Sequence, residues 1–426
     1  MSGSLKVYLY GRQIGTLSED SLGHLEFRYD EDAYPLSVRM PVCKETYDQM
    51  YAEPFFDNLT PEGDALNLIA RKFHISEENT FSVLKQIGGD CAGAVSLYSG
   101  KIQLHIDRPL KKIDHEALSK IIEELPTNPL LTGMDNAPRL SLAGAQSKFA
   151  VYKGTDGKYY RSDDEHPTTH IIKIANKYFN GLLENELFCM TLAKKIFKDA
   201  IDVRLDSVDG QKFLEIERFD RKFMNDRIER VHQEDFCQVL GCLSRRKYQA
   251  DGGPKLSQIY NAVKEYSAQK AFDGYKLIQL LIFNYLIGNT DAHAKNYSIM
   301  LAADGSHRLA PMYDVASIAP YVEGAKLKIK PPKLAMSIGG ENRAGHVSAN
   351  NLAKLVEQCG LERFGITAEG CRDLLALYAK EIPGKLAQEF DALEKTGSAD
   401  AARELRGRME KPIAQLCARS LKVLGS

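Results

Sequence analysis

Asp291, Asn296 and Asp314 place two carboxylates and a carboxamide within the segment "GNTDAHAKNYSIMLAADGSHRLAPMYDV", residues 288–315. The stretches "NYSIML" and "HRLAPMYD" alternate like strands, and the sequence between them holds the two-residue turn Asp304-Gly305. This pattern predicts an antiparallel hairpin whose outer ends bring Asn296 close to Asp314. A pair of oxygen ligands suits a hard divalent ion such as Mg²⁺, with nucleotide phosphates completing its shell.

Asp291 precedes Asn296 on the loop that leads into this hairpin. A carboxylate held near a terminal phosphate can orient an attacking hydroxyl group and accept its proton, so Asp291 is the candidate catalytic base. Lys295 is a candidate for neutralising charge on the transferred group. We expect His293 to hold the loop by hydrogen bonds beside the nucleotide, rather than to act as an acid or a metal ligand.

A phosphoryl-transfer site also needs a cation for the inner phosphates. Lys173 lies in the short apolar strand "THIIKIAN", where a charge is costly unless it is paired. The helix predicted over "GLLENELFCMTLAKKIF" offers Glu186 as its partner. A strand lysine paired with a helix glutamate matches the arrangement that positions the α- and β-phosphates in protein kinases.

The segment "SLAGAQSK" leads into a strand, and its small residues would let backbone N–H groups approach a phosphate. It has one glycine, whereas stronger phosphate loops have several. The candidate nucleotide contacts in this segment are Ala143, Gly144, Ala145, Gln146 and Lys148. Further along, "EIERFD" lies between a strand-rich and a helix-rich half, where a hinge that binds adenine would have to be.

Each of these features also has a purely structural interpretation. Most loop carboxylates face solvent, a strand lysine usually reaches water, and an Asp-Gly hairpin is far more often plain structure. What favours phosphoryl transfer is their order along the chain: loop, strand lysine, helix glutamate, hinge, Asp-x4-Asn, hairpin, aspartate.

The elements before the phosphate loop are mainly short strands. "KVYLYGRQIGTLS" predicts a hairpin turning at Gly11-Arg12, and "HLEFRYD" and "LSVRMPV" continue the alternation. "TPEGDALNLIARKF" predicts a helix capped by Thr60, with Pro61 at its first position. A connecting helix capped by Asp114 follows.

The later elements shift from hairpins to helices. "KFAVYKGTDGKYYRS" and "DVRLDSVDGQKFLEIERFD" predict hairpins, the second turning at Asp209-Gly210. From about Gln233 we expect mostly helix, including the buried "KLIQLLIFNYLI", and after Lys333 helix to the end. The prediction is a two-lobed α+β fold with a strand-rich part over 1–105, a lobe with the phosphate loop and hinge over 106–232, and a helical lobe with the catalytic loop over 233–426.

Composition excludes several classes of protein. The net charge of -1 argues against coating nucleic acid by bulk electrostatics. No apolar span approaches membrane length, and the N-terminal sequence enters a strand pattern without a signal peptide. The eight cysteines form no CxxC pair, which favours a reducing, cytoplasmic setting and disfavours a zinc site.

With these residues in hand, the chain resembles the HipA-type serine/threonine kinases, the toxins of HipBA toxin–antitoxin systems, over nearly its full length. The resemblance rests on "SLAGAQSK", "TTHIIK", "NELFCMTLAK", "ERFDR", "QEDFCQ", "DGGP", "LIGNTDAHAKN" and "LAPMYD", with "FFDNLTPEG" and "GGDCAGAV" in the N-terminal part. It implies a kinase core related to the phosphatidylinositol 3/4-kinases, with an all-helical C-terminal lobe. It also implies ATP and Mg²⁺ as cofactors.

The same resemblance assigns roles to residues. Asp291 would be the catalytic base, Asn296 and Asp314 the magnesium ligands, and Lys173 a contact to ATP phosphates. The backbone around Glu217 and Phe219 would hold adenine. Ser141 matches the family's autophosphorylation serine, whose modification expels the phosphate loop and switches the kinase off; a phosphoserine carries close to two negative charges, which cannot share a pocket with ATP phosphates.

The resemblance further implies partners. The substrate would be an aminoacyl-tRNA synthetase, with glutamyl-tRNA synthetase expected, and the binding partner a helix-turn-helix antitoxin dimer like HipB that binds operator DNA. The most basic run, "KLKIKPPK" over 326–333, could face an acidic partner or nucleic acid, although a solvated loop is the simpler interpretation.

Two alternatives remain open at this point. A small-molecule phosphotransferase, such as an aminoglycoside kinase, shares the Asp-x4-Asn pattern and the later aspartate, but usually has His-Gly where this chain has Asn289-Thr290. Such enzymes also lack the long strand-rich N-terminal unit. The other alternative is a catalytically silent corepressor, which the intact Lys173, Asp291, Asn296 and Asp314 disfavour.

Overall fold

The computed structural model describes residues 3–100, 110–129, 141–144, 146–162, 166–175, 179–224, 227–302, 304–322, 333–395 and 399–425. The chain divides into two compact units. The first comprises Met1–Asn176, Arg204–Arg245 and Met300–Gly305, and the second Lys177–Val203, Arg246–Ile299 and Ser306–Ser426. Both units contain helices and strands, so the mixed content expected of the α+β class is confirmed.

The N-terminal part of the first unit is an antiparallel sheet in the order β3-β2-β1-β4, packed with three helices. Its core includes Val7, Phe27 and Phe56, each fully buried. The elements are β1 (Ser4–Leu9), β2 (Arg12–Glu19), β3 (Leu25–Tyr29), α1 (Gln49–Asp57), α2 (Gly63–Phe73), α3 (Thr80–Ile87) and β4 (Val95–Tyr98).

Three predictions for this part need correction. The first hairpin turns at Tyr10-Gly11, one residue earlier than predicted, because these two residues have the consecutive positive φ angles (53° and 76°) of the turn. The predicted strand over 36–42 is a turn, in which Met40 N–H donates to Ser37 O at 3.1 Å. Helix α2 begins at Gly63 with Glu62 as its N-cap, whereas Thr60 Oγ1 donates to Asp57 O at the end of α1.

A six-stranded sheet in the order β5-β7-β6-β8-β10-β9 forms the other half of the first unit. Phe149, Ile172 and Phe213 are buried in its core. The predicted hairpin turn at Asp209-Gly210 is confirmed by positive φ angles of 48° and 77°. These strands, with one helix, are β5 (Lys112–Ile113), α4 (His115–Glu124), β6 (Lys148–Lys153), β7 (Tyr159–Tyr160), β8 (His170–Ile174), β9 (Val203–Val208) and β10 (Gln211–Glu217).

Short elements complete the first unit. The predicted cap of α4 is confirmed, since the Asp114 carboxylate accepts the N–H of Ala117 at 2.9 Å. After β10 come the hairpin β11 (Arg221–Met224) and β12 (Arg227–Arg230), the strand β13 (His232–Asp235) and the helix α6 (Phe236–Leu240).

The second unit is mainly helical. The predicted buried helix is confirmed as α8, in which Leu277, Ile278 and Phe283 are fully buried. Its helices are α5 (Leu182–Ile196), α7 (Leu256–Tyr266), α8 (Lys270–Leu286), α9 (Ala319–Val322), α10 (Ala349–Cys359), α11 (Ala368–Leu393) and α12 (Ala399–Leu424). Among the described residues, none of these helices or those of the first unit is both long and apolar enough to cross a bilayer.

The expectation of helix throughout the C-terminal part is wrong. Besides the hairpin β14 (Ser298–Leu301) and β15 (Arg308–Leu309), a second hairpin is formed by β16 (Lys333–Ile338) and β17 (Glu341–Arg343). The second turn uses Gly339-Gly340, with φ angles of 53° and 87°. Gly-Gly is a recognised signal for a two-residue hairpin turn, so the sequence contained this information.

Four charged side chains form a buried ion cluster in the first unit: Asp90, Arg218, Asp220 and Arg221. Each is less than 10% exposed. Arg221 Nη2 donates to Asp90 Oδ1 at 2.8 Å, and Arg218 donates twice to the Asp220 carboxylate, at 2.9 and 2.8 Å. Because an unpaired buried charge is very costly, the cluster ties the residues near Asp90 to those that follow β10.

A further buried carboxylate, Glu234 on β13, explains the turn at 36–42. Its oxygens accept hydrogen bonds from Ser37 Oγ at 2.7 Å and from the N–H of Val38 at 2.8 Å. Burial raises the pKa of Glu234 to about 7, although these two donors and Arg39 act in the opposite direction. The N–H of Val38 is therefore bound to a side chain instead of a neighbouring strand, and the Ser37 hydroxyl binds the same carboxylate.

Glu234→Gln should make the free energy of unfolding less dependent on pH. The native pKa lies above the ordinary value of 4.5, so this group's contribution is complete below pH 4.5 and is lost as pH rises to about 7. The stability lost over this pH range is roughly 3 kcal/mol. Because the amide of the variant stays neutral, the variant should recover part of this lost stability at pH 8. Urea unfolding at several pH values would measure this, with the exposed Glu229→Gln as control; parallel curves for all three proteins would contradict it.

Candidate active site

The loop after α8 is held by the asparagine that precedes Asp291. The N–H of Asn289 donates to Asn284 O at 2.8 Å, and its side-chain amide donates to Asn284 Oδ1 at 2.9 Å. Asn289 Oδ1 accepts the N–H of Asp291 at 3.1 Å. Asn284 is in turn bound to the hydroxyl of the buried Tyr297 at 2.9 Å. The end of a buried helix therefore fixes the main chain of Asp291.

The Asp291 side chain extends from this fixed backbone toward solvent and is 67% exposed. Its carbonyl oxygen accepts the N–H of His293 at 2.7 Å and the side-chain amide of Asn296 at 2.8 Å. The hydroxyl of Tyr248 donates to Asp291 Oδ1, and His293 Nε2 lies 4.0 Å from the same oxygen. An exposed carboxylate on a fixed loop can reach a hydroxyl group brought by a substrate.

The predicted hairpin is present, and both of its outer ends border one pocket. The N–H of Ala310 donates to Ser298 O at 2.9 Å. The turn is not the predicted two-residue one at Asp304-Gly305, because β14 ends at Leu301, β15 begins at Arg308 and the N–H of Gly305 donates to Ala302 O at 3.0 Å. Asn296 and Asp314 line the pocket together with Leu280, Asn284, Asn289, Tyr297, Ser298, Leu309, Ala310, Pro311, Met312 and Tyr313. The hairpin thus brings the two predicted metal ligands to the same place.

The donor atoms at this pocket fit Mg²⁺. The side-chain nitrogen of Asn296 is engaged with Asp291 O, which leaves the amide oxygen as its ligand atom. Asp314 adds a carboxylate, and oxygen donors are what Mg²⁺ prefers. Asp314 also has a φ angle of 55°, a left-handed conformation that costs a non-glycine residue energy and that is enriched at functional sites.

The other two loop residues are buried. His293 is 5% exposed, and its ring meets the Tyr248 ring edge to face with centroids 5.1 Å apart. Lys295 is 7% exposed, and its carbonyl oxygen accepts the Tyr313 hydroxyl at 2.8 Å. The contact of His293 fits a role in holding the loop; that Lys295 neutralises the transferred group stays a prediction.

The phosphate loop packs against the N-terminal part of its own unit. Ser141 is fully buried; its Oγ donates to Leu59 O at 2.5 Å and its N–H to Asp90 O at 3.1 Å. Gly144 has a φ angle of 95°, and its carbonyl oxygen accepts the N–H of Glu62 at 3.4 Å. The first residue of the loop is therefore bound by the backbone carbonyl groups of Leu59 and Asp90. Ala145 lies outside the described residues.

Two lysines lie side by side on the six-stranded sheet. Lys148 on β6 is the direct antiparallel partner of Lys173 on β8, so both side chains emerge on one face. Lys148 Nζ donates to Ala143 O, and Gln146 Nε2 donates to Ile174 O at 3.1 Å, which places the loop at the end of β8. Directly opposed like charges destabilise a sheet unless anionic groups compensate them, which suits a phosphate site.

The remaining predicted residues occupy the expected elements. Lys173 is 6% exposed in the first unit, and Glu186 is 3% exposed on α5 of the second unit; their pairing stays a prediction. Glu217 is the last residue of β10 and is exposed, and Phe219 is half-buried just beyond it. Of the basic run 326–333, all but Lys333 lies outside the described residues.

Two family descriptions match the chain. Residues 5–98 match the HipA N-terminal domain, and residues 140–386, more than half of the chain, match the HipA-like C-terminal domain. The chain belongs to the HipA family.

Relatives of this HipA-family chain support the same conclusion. The putative kinase Y4mE of Sinorhizobium fredii is 35% identical over 369 residues, covering 84% of this chain and 86% of that protein. The serine/threonine-protein kinase toxin HipA of Shewanella oneidensis is 29% identical over 403 residues, covering 90% and 89%. A chain in a solved complex of Shewanella oneidensis MR-1 HipA, HipB and operator DNA matches with a TM-score of 0.79 and 27% identity, covering 98% of this chain and 97% of that one. The HipA-family chain is an enzyme, a serine/threonine-protein kinase.

Sequence reasoning missed two residues of the HipA-family catalytic loop region. Asn289 fixes the Asp291 backbone, a role that its position in place of a His-Gly pair does not reveal. Tyr248, which binds the Asp291 side chain, lies 43 positions away along the chain. The "DGGP" motif just after Tyr248 was a usable signal, because paired glycines before a proline mark a fixed turn.

Proposed function

We propose that this chain is the toxin kinase of a type II toxin–antitoxin system and transfers the γ-phosphate of ATP to a serine of a protein substrate. The substrate hydroxyl oxygen forms a bond to the γ-phosphorus, the bond from that phosphorus to the β,γ-bridging oxygen breaks, and ADP leaves. Asp291 accepts the proton of the hydroxyl. The observation that carries the proposal is the exposed Asp291 carboxylate on a backbone fixed by Asn289, next to the pocket of Asn296 and Asp314.

The nucleotide-binding roles follow from the contacts described above. Asn296 and Asp314 would hold Mg²⁺, which neutralises phosphate charge when bound. Lys148 and Lys173 would bind ATP phosphates, for which their opposed positions on the sheet are the support. We also propose Glu186 as the partner of Lys173, and the backbone of Glu217 and Phe219 as the adenine contact.

The partners are proposed by family likeness. The Shewanella oneidensis complex contains HipB and operator DNA, so we propose a HipB-like helix-turn-helix dimer as the antitoxin and operator DNA as the target of the joint complex. An aminoacyl-tRNA synthetase, with glutamyl-tRNA synthetase first, is the proposed substrate. A core related to the phosphatidylinositol 3/4-kinases and a cytoplasmic setting, in keeping with eight free cysteines, are part of the same proposal.

We propose that Ser141 is the site of self-inactivation. Its hydroxyl is fully buried and donates to Leu59 O at 2.5 Å, so that oxygen would lie too close to accommodate a phosphoryl group on Ser141. A phosphoserine brings nearly two negative charges, which the carbonyl groups of Leu59 and Asp90 would repel. Modification and the packed position of the loop would therefore exclude each other.

The test is incubation of the pure protein with γ-labelled ATP and Mg²⁺. We expect label on Ser141, and at least a roughly tenfold loss of label in Ser141→Ala, because the acceptor oxygen is gone. That variant should keep ATP binding and its toxicity in cells. Ser147→Ala is the matched control from the same segment and should label like the native chain. Label that stays on Ser141→Ala at the native level would refute this assignment.

A further inference from the structure

The motif "KYQADGGP" forms a rigid turn whose position is fixed by glycine. The carbonyl oxygen of Tyr248 accepts the N–H groups of Asp251 at 3.0 Å and Gly253 at 2.9 Å. A Cβ on Gly253 would lie 1.9 Å from Arg246 O and 2.6 Å from Tyr248 O, so no other residue fits without moving the backbone. The turn therefore holds the Tyr248 main chain in one place.

Both flanks of this turn are anchored within the second unit. Gln249 Oε1 accepts the N–H of Ser337 at 2.9 Å, and Gln249 Nε2 donates to Ser337 Oγ at 3.1 Å, which binds the turn to β16. On the other side, the N–H of Ala294 donates to Lys247 O at 3.4 Å. The second contact joins the turn directly to the catalytic loop.

The side chain of Tyr248 then points at the candidate base. Its hydroxyl donates to Asp291 Oδ1, while its ring packs edge to face on the buried His293 at an interplanar angle of 85°. The ammonium of Lys247 lies 5.5 Å from the centre of the same ring. The phenol is thus held by contacts on its ring, and its hydroxyl group is directed at the carboxylate.

The hydrogen bonds described within the loop fix the backbone of Asp291, and the Tyr248 hydroxyl donates directly to its carboxylate. Asn289 binds its N–H, and Asn296 and His293 bind its carbonyl oxygen, whereas the side chain is 67% exposed. A carboxylate that rotated would meet an incoming hydroxyl group in a productive geometry for a small part of the time. A donor on a separate, rigid turn restricts that rotation.

We propose that Tyr248 is a positioning residue, whose hydroxyl orients the Asp291 carboxylate for proton acceptance. The inference rests on the proposed function of Asp291 and adds a second element, the Gly-Gly-Pro turn, to the machinery of phosphoryl transfer. The competing interpretation of the same contact is a block, in which the phenol occupies the position of the substrate hydroxyl. The two interpretations predict opposite effects of removing the hydroxyl group: loss of a positioning contact lowers the rate of phosphoryl transfer, whereas loss of a block raises it.

Tyr248→Phe separates them, because it removes the hydroxyl and keeps the ring on His293. With γ-labelled ATP and Mg²⁺, we expect the maximal rate of self-labelling to fall about tenfold, a part of what a positioned base supplies. The ATP concentration at half-maximal rate should stay within about twofold, since the hydrogen bond described for this hydroxyl goes to Asp291 and not to a proposed nucleotide ligand. The melting temperature should match that of Tyr275→Phe, a control at an exposed tyrosine of the same unit.

The double variant with Asp291→Asn shows through which group Tyr248 acts. If Tyr248 acts by orienting the Asp291 carboxylate, removing the Tyr248 hydroxyl should change the residual rate of Asp291→Asn by less than about twofold. An unchanged or raised maximal rate in Tyr248→Phe overturns the inference, as does a full tenfold loss in the Asp291→Asn background. If the native chain itself transfers no phosphate, the proposed function fails first, and that result is visible in the same experiment.

Discussion

Asp291→Asn should lower the rate of phosphoryl transfer by about 10³-fold while the affinity for ATP stays within about twofold. The amide has the size of the carboxylate and can still accept a hydrogen bond from Tyr248, but it cannot take up the proton of the attacking hydroxyl group. The hydrogen bonds that fix this position use the main chain of residue 291, so the loop should keep its conformation. Transfer of label from γ-labelled ATP, with nucleotide binding followed by calorimetry, measures both quantities.

Asp373→Asn is the matched control for this experiment. Asp373 lies on α11 of the same unit and is 68% exposed, against 67% for Asp291. A general effect of removing one exposed carboxylate would therefore appear equally in both variants. Native activity in Asp291→Asn would show that the base lies elsewhere, whereas a loss of ATP affinity together with rate would point to collapse of the loop.

The second large effect concerns stability. Asp90→Asn should lower the free energy of unfolding by about 3–5 kcal/mol, because it leaves Arg221 charged and buried without a full partner. Arg221 is 2% exposed and donates to Asp90 Oδ1 at 2.8 Å, and the other oxygen of Asp90 binds the N–H and the hydroxyl of Thr168. Urea unfolding measures the change. Glu124→Gln, which breaks an exposed pair with Lys120 on α4, should cost less than about 1 kcal/mol.

The same cluster predicts how the native chain responds to acid. Burial alone would raise the pKa of Asp90, but Arg221, Arg230 and Arg218 lower it well below its usual range; Arg218 and Arg221 likewise hold the pKa of Asp220 at about 2 despite its burial. Both native values lie below the ordinary value of 3.8, so the stabilisation is complete above that pH and is lost as pH falls through the native values. The free energy of unfolding of Asp90→Asn should therefore fall less steeply than that of the native chain as the pH is lowered below 3.8. The same decrease in both proteins would contradict this account.

Local sequence patterns predicted the catalytic loop well. The hairpin after Asn296, the Asp114 cap and the Asp209-Gly210 turn depend on neighbouring residues, and all three are present. The hairpin after Asn296, however, does not turn through the predicted pair Asp304-Gly305, since the N–H of Gly305 donates to Ala302 O. The order of chemical groups along the chain likewise indicated phosphoryl transfer before any contact was known. Such features were accessible because a turn or a cap is decided within a few positions.

Features decided by distant residues were not accessible. The segment 36–42 alternates like a strand, but the distant Glu234 accepts the N–H of Val38 and the hydroxyl of Ser37. The opposed positions of Lys148 and Lys173 depend on the register between two strands, and the burial of Ser141 depends on the carbonyl oxygen of Leu59. Tyr248 was missed for the same reason. Periodicity and spacing carry little information about contacts between such separate segments.

The buried ion cluster has a consequence for how this protein could be divided. Asp90 lies in the region matched by the N-terminal family description, and Arg218, Asp220 and Arg221 lie in the C-terminal one. If the gene were split between these regions, each polypeptide would carry a charge whose counter-ion is on the other product. The two polypeptides would have to associate as they are synthesised, or the unpaired buried charges would leave them open to proteolysis. A split gene would therefore encode an obligate heterodimer instead of two independent modules.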